Sequence, residues 1–296
     1  METQNERIAL IREDREHGSR WLVRETISVL YDIATQPASS PEENVQQLQR
    51  AGKELANARP AMAALAGAVR RILNAPGGLE GMEREAAKLL NEFDSAIEHI
   101  TNFARPFLTG TIMTHSLSGT VLEVLTNCLS HIEHIIVLEG RPRYEGREVA
   151  RILSKENASI TLITDAQADI FLPQCHAVVV GADSTLSNGD ILNKAGTALL
   201  AWAAHGHKIP FYVLCETLKF SPHGWSGDLT QLEEKESTEV LKQGIPGVSI
   251  RNFYFDRTLS RLITGVITEQ GIMGKKEIAQ VASQLKRKSV SNKLAL

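Results

Sequence analysis

What most constrains the fold of this chain is a change of period near residue 108. Before it, apolar residues recur at spacings of three and four. "SRWLVRETISVLYDIA" (19–34) puts Trp21, Leu22, Thr26, Val29, Leu30 and Ile33 on one helical face. Ser40, Pro41 and Glu43 open a second helix with a capping-box start and proline at its first position. The stretch 60–75 is alanine-rich and apolar on one side, and 77–104 reads as one long helix or two. No strand is expected in this half, which has the pattern of a helical bundle or cap. After residue 108, short β-rich runs follow at 111–114, 134–138, 159–164, 177–181, 210–214 and 248–255, with helical stretches at 117–130, 145–155 and 191–205. Unbroken apolar strands alternating with helices predict an α/β fold with a parallel sheet covered on both faces.

The runs end on Glu139, Asp165, Asp183, Glu216 and Asp256. In an open α/β sheet the carboxyl ends of the strands share one edge, and ligands bind there. Five carboxylates are therefore expected along that edge. The plainer alternative is that such acids cap the helices that follow, which suits Asp165 best. It suits Asp183 less well, because the expected helix begins eight positions on, at 191.

Composition narrows the function. The chain has 296 residues, 43% hydrophobic and 23% charged, with a formal net charge of −3. There is no global electrostatic case for direct nucleic-acid binding. No apolar run is long enough for a membrane span, and the charged start lacks a signal-peptide core. Cys128, Cys175 and Cys215 show no metal or redox spacing, and an odd count fits a reducing compartment, with the cytoplasm as default. His131 and His134 are placed three apart on one helix face without a third ligand, and His205 and His207 sit at a helix end where the dipole accounts for them. No metal and no cofactor are expected. The segment 274–296 carries five lysines and one arginine against one glutamate, as a solvated helix face with a frayed end would.

Neither GxGxxG nor GxxxxGK[ST] is present, so dinucleotide and nucleoside-triphosphate motifs are missing. A helix N-terminus after a strand is still an anion site. "THSLSGT" supplies Thr114, His115, Ser116 and Ser118 at such a start, and either phosphate binding or plain N-capping fits it. Arg141 and Arg143 lie just beyond another strand end, where guanidinium forks suit phosphate and a surface arginine pair is the ordinary alternative. Asn193 and Lys194 add an amide and an ammonium near the same edge.

Taken together, "TIMTHSLSGTVLEVL", "EGRPRYEGREVA", "VVVGADSTLSNGDILNKAGTALLAWAAHGHKIPFYVLCETLKF" and "FYFDRTLSRLITGVITEQGI" resemble one superfamily. It holds the alpha, beta and delta regulatory subunits of translation initiation factor 2B, ribose-1,5-bisphosphate isomerase and methylthioribose-1-phosphate isomerase. The resemblance spans roughly 108–272. "HGSRWLVRETISVL" resembles its phosphate loop, with His17 where the isomerases carry arginine, then Gly18 and Ser19. It implies a helical region at 1–107, a Rossmann-like domain at 108–273 and a basic tail at 274–296. A phosphorylated pentose or nucleotide is expected in the cleft between the first two, in a homodimer or higher homo-oligomer. It further implies that Asp183 is the isomerases' acid/base residue and that Asn193 and Lys194 bind substrate. Gly18, Ser19, Thr114, His115, Arg141, Glu216 and Lys219 complete the expected ligand-binding set. The departure is Ser116, because the isomerases carry a cysteine there as the partner acid/base. A thiol titrates near 8.5, whereas a serine hydroxyl needs a neighbouring base. The initiation-factor subunits also lack that cysteine. The expectation is therefore a non-catalytic binder of the initiation-factor type, with an aldose–ketose isomerase using Asp183 as the alternative.

Overall fold

A computed structural model describes residues 3–15, 17–37 and 40–291, with side chains to 287. Parts of the N-terminal stretch and residues 292–296 of the basic segment lie outside it. The first third is helical: α1 (Gln4–Glu13), α2 (Ser19–Thr35), α3 (Pro41–Ala58), α4 (Ala63–Leu73) and α5 (Gly78–Ala104). The stretch 77–104 is thus one helix. Ser40 caps α3 by accepting from the Glu43 N–H, with Pro41 at the first position. The apolar faces of these helices close one core, in which Leu22, Leu30, Leu48 and Leu65 are fully buried.

A short turn, Arg105–Phe107, leads into the sheet domain. There follow β1 (Gly110–His115), α6 (Gly119–Asn127), β2 (Ile132–Leu138), α7 (Glu145–Lys155), β3 (Ile160–Ile163), α8 (Ala168–Phe171) and β4 (Ala177–Gly181). Next come β5 (Ser184–Thr185), β6 (Ile191–Lys194), α9 (Thr197–His207) and β7 (Phe211–Leu214). The last elements are β8 (Phe255–Thr258), β9 (Gly265–Thr268), β10 (Gly271–Met273) and α10 (Lys275–Ser291). The main sheet runs β10-β9-β7-β4-β1-β2-β3 and is parallel except for the β9–β10 hairpin. Its central strand β4 is buried at every position, as a strand covered on both faces must be. On α10, Ile278 is buried in the sheet-side core, and Val281 and Leu285 pack against it. Among the described residues, no helix is long and apolar enough to cross a membrane.

Three expectations fail locally. The stretch 191–205 is not one helix. Residues 191–194 form β6 in a second, antiparallel sheet, β5-β6-β8. Gly196 then turns in the left-handed region (φ 109°), and only afterwards does α9 begin. The expected strand at 248–255 is irregular up to Phe255, where β8 joins that second sheet. His134 is on β2, not on a helix with His131, and its ring bonds the Ser159 and Thr161 hydroxyls. Strands β9 and β10 were not anticipated at all.

Candidate functional site at the helix starts

A cleft opens between the helical region and the carboxyl edge of the sheet. Gly18, Ser19, Ser116, Asp183, Asn193 and Lys194 all line it. Two helix starts meet there. Gly18 is the N-cap of α2, and no side chain caps that end. Ser118 is the N-cap of α6 and accepts from the Val121 N–H. The two ends nearly touch, since a Cβ built on Gly18 lies 3.6 Å from the Leu117 carbonyl oxygen and 3.8 Å from the Gly119 nitrogen. The first N–H groups of a helix have no partner inside it and carry the positive end of its dipole. Two such ends facing one cleft make an anion site. Ser116 adjoins them at φ 67°, a left-handed conformation uncommon for a residue other than glycine. Strain of this kind costs on the order of 1–3 kcal/mol and collects at functional sites.

Asp183 emerges where β4 passes into β5, its N–H held by the Leu192 carbonyl of the second sheet. Burial pushes its carboxyl above the usual carboxylate range. Lys219, a hydrogen bond from Ser19, and Arg59 pull against that shift, and Glu233 adds to it. Behind Asp183 lies a buried cluster. Lys219 Nζ donates to Ser19 Oγ at 3.1 Å and stands 3.5 Å from Glu216 Oε2, a charge contact rather than a hydrogen bond. Glu216 Oε1 accepts from Arg20 (2.7 Å) and from Thr120 (2.9 Å). Burial works to raise the Glu216 carboxyl, but Lys219 and Arg20 prevail and hold it below its ordinary value. Glu216 and Lys219 thus lie behind the cleft wall and tie α2 to the sheet.

Lys194 is buried, 2.7 Å from Glu145 and 4.5 Å above the Tyr254 ring. Asn193 bonds the Thr197 hydroxyl. His115 is buried beneath the cleft with its Nε2 on the Ala195 carbonyl, and burial lowers its pKa. Thr114 is buried beside it, its hydroxyl without a partner among the described residues. Arg141 does not line the cleft: it is exposed and reaches the Tyr144 hydroxyl and the Val240 carbonyl. Arg143, two residues on, does line it. Residues that sequence reasoning missed complete the rim. Arg15 makes a bidentate pair with Glu236 at 2.5 and 2.7 Å, and Arg59 pairs with buried Glu233 at 3.1 Å. Glu239 lies 3.5 Å from Arg143 and accepts from Tyr254 at 2.6 Å. These acids belong to the irregular segment between β7 and β8. With them in place the cleft holds about 90 Å³.

The five strand-end carboxylates separate. Asp183 faces the cleft and Glu216 lies behind it. Glu139 binds Arg147. Asp165 accepts from the Gly140 and Arg141 N–H groups, and the turn after it is capped by Thr164 instead. Asp256 lies within β8 and accepts from the Gly196 and Ala198 N–H groups, so it caps α9. Burial raises the Asp256 carboxyl to about 6 against those hydrogen bonds. A raised carboxyl favours the folded chain while protonated. That contribution is complete below about pH 4 and disappears as pH rises through about 6, some 3 kcal/mol for about two pKa units. Urea unfolding between pH 3.5 and 7 should show this slope in the native sequence and lose it in Asp256→Asn.

No cysteine lines the cleft. Cys215 is fully buried against Thr185, its thiol pushed by burial up to about 12, and Cys175 is likewise raised to about 11.

Residues 15–275 match the Initiation factor 2 subunit family. A translation initiation factor eIF-2B subunit 2-like protein of Pyrococcus horikoshii is 32% identical over 268 residues, covering 89% of this chain and 93% of that one. The ribose 1,5-bisphosphate isomerase of Methanocaldococcus jannaschii is 34% identical over 241 residues, covering 78% of each. The crystal structure of the Pyrococcus horikoshii translation initiation factor eIF-2B superposes with a TM-score of 0.81 at 30% identity, over 92% of this chain and 97% of that one.

Proposed function

The chain belongs to the Initiation factor 2 subunit family, and on that premise we propose that it binds a phosphorylated pentose or nucleotide in the cleft without transforming it. One observation carries this reading: two helix starts and Lys194 face a cleft in which Asp183 is accompanied by a serine and by no thiol. The phosphate sits on the N–H groups at Ser19 and Gly119 and on Lys194, and Asn193 and Asp183 meet the sugar hydroxyls. A site of about 90 Å³ is below the roughly 300–1,000 Å³ of small-molecule clefts. Binding therefore moves the acidic segment outward, and in a pentose bisphosphate the second phosphate replaces Glu236 and Glu239 on Arg15 and Arg143.

A thermal-shift screen of ribose phosphates and nucleoside monophosphates tests this. A ligand at about 100 times its Kd stabilises by roughly 2.7 kcal/mol. Lys194→Met should weaken the best ligand 10- to 100-fold, the equivalent of a lost charged hydrogen bond of about 1.5–3 kcal/mol. No stabilisation at millimolar ligand counts against the proposal.

The second reading is an isomerase of the ribose 1,5-bisphosphate type, the activity for which the methanogen relative is named. Asp183 favours it, because a carboxyl raised by burial holds a proton nearer neutral pH, as a general acid must. The binder also works as a homodimer in this proposal. Ile170, Leu199 and Trp202 stand exposed on α8 and α9, which pack side by side, and such a face suits a second copy. Light scattering at micromolar concentration should give twice 32.5 kDa or more, and a monomer defeats this part.

A further inference from the structure

On the opposite side of the seam between the helical region and the sheet lies a larger cavity, of about 1010 Å³. Its walls are α4 and α5, the turn Thr217–Lys219, the β9–β10 hairpin and α10. Much of its surface is apolar, with Leu89, Phe93, Leu218, Val281 and Leu285 all facing it.

The charges on this wall are paired, with one exception. Arg71 holds Glu85 at 2.5 Å and Glu92 at 2.6 Å, and Lys88 also reaches Glu92. Glu269 is taken by the Thr217 N–H and hydroxyl, and Glu216 by Arg20 and Thr120. Arg70 is half-buried on the same wall, and its guanidinium has no hydrogen bond or ion pair among the described residues. Burial alone acts on it and holds it below the usual arginine range. One turn further along the wall, the buried amide oxygen of Asn74 has no donor among the described residues. A cation that is partly desolvated and has no protein partner is one that a bound anion stabilises.

We propose that this rear cavity is a second ligand site, which takes a small organic anion: a phosphate or carboxylate on an aromatic or aliphatic body. The anion bridges the guanidinium fork of Arg70, which matches either group bidentately. Its apolar body covers Phe93, Leu218 and Leu285. The volume is at the upper end of small-molecule clefts. An occupant also presses on Leu218, whose neighbour Lys219 holds Ser19 at the front cleft. Nothing in the proposal depends on what the front cleft binds.

The test is methyl NMR of the full chain titrated with phenyl phosphate, benzoate and, as the neutral control, phenol. Phenyl phosphate or benzoate should shift the methyls of Leu218, Val281 and Leu285, and whichever binds tighter identifies the anion class. Arg70→Met should weaken that binding at least tenfold. It should leave the fold intact, since Arg70 has no partner to orphan. Gln284→Glu, an exposed change on the facing helix, should weaken binding severalfold. The proposal is overturned if phenol binds equally well, if neither variant alters affinity, or if the shifts are confined to residues around Ser19 and Lys194.

Discussion

Lys219→Met should destabilise the folded chain by about 3–5 kcal/mol, the cost typical of removing one partner from a buried ion pair. Methionine nearly fills the space, so a cavity adds little. The loss is electrostatic. Lys219 is 1% exposed and is the cation that faces both Glu216, 2% exposed, and Asp183. Without it, Arg20 alone balances Glu216, and Asp183 keeps the Ser19 hydrogen bond and the smaller pull of Arg59. The Ser19 hydroxyl also loses its donor, which loosens the start of α2 where it meets α6. Urea unfolding followed by circular dichroism measures the change. The double variant Lys219→Met/Glu216→Gln should recover part of it, because the stranded carboxylate is then gone. A loss below 1 kcal/mol for the single variant would show that this cluster does not join the helical region to the sheet.

The cluster also shows what was legible in the sequence. The helical third was readable because its apolar stripes are long and its start signals, such as Ser40 and Pro41, are local. The parallel strands were readable because burial on both faces leaves unbroken apolar runs. The second sheet was not. Its strands have two to four residues, and Ile191 pairs with Thr258 across 67 positions. The apolar "ILNKAGTALLAWAAHGH" fits a helical period as well as a strand, and only the left-handed Gly196 divides it.

At the site, Asp183, Ser116, Asn193 and Lys194 are legible because they lie in motifs that resemble a family, and Gly18 and Ser19 because "HGSRWLVRETISVL" resembles that family's phosphate loop. Arg59, Glu233 and Tyr254 were invisible. They arrive from a helix end and an irregular segment, and nothing local distinguishes them from surface residues. Arg141 and Arg143 flank one proline, and sequence could not say which turns inward. Asp256 ends an apolar run as Asp183 does, yet it caps α9, because the register of β8 rather than its composition sets its position.

The largest effect expected of any change concerns Ser116. If the cleft is an isomerase pocket lacking one acid/base group, restoring the thiol should recover the roughly 10²–10⁴-fold in rate that such a group supplies. The setting suits a reactive thiol. Residue 116 adjoins the α6 start, and helix N-termini lower thiol pKa values. Asp183 lines the same cleft with a raised carboxyl, able to hold the complementary proton. Ser116 itself has no such chemistry, because among the described residues no side chain bonds its hydroxyl as a base would. Ser116→Cys is thus the one substitution expected to add an activity rather than remove one, and Asp183→Asn in the same background should abolish it.

The central claim is that the native chain binds a phosphorylated pentose and leaves it unchanged. Phosphorus and proton NMR of ribose-1,5-bisphosphate with stoichiometric protein tests it most directly, since one sample reports both line broadening on binding and any conversion to the ketose. The account predicts broadened sugar-phosphate signals, no ketose from the native chain, and ketose only with Ser116→Cys. Ketose formed by the native chain and lost in Asp183→Asn would contradict it.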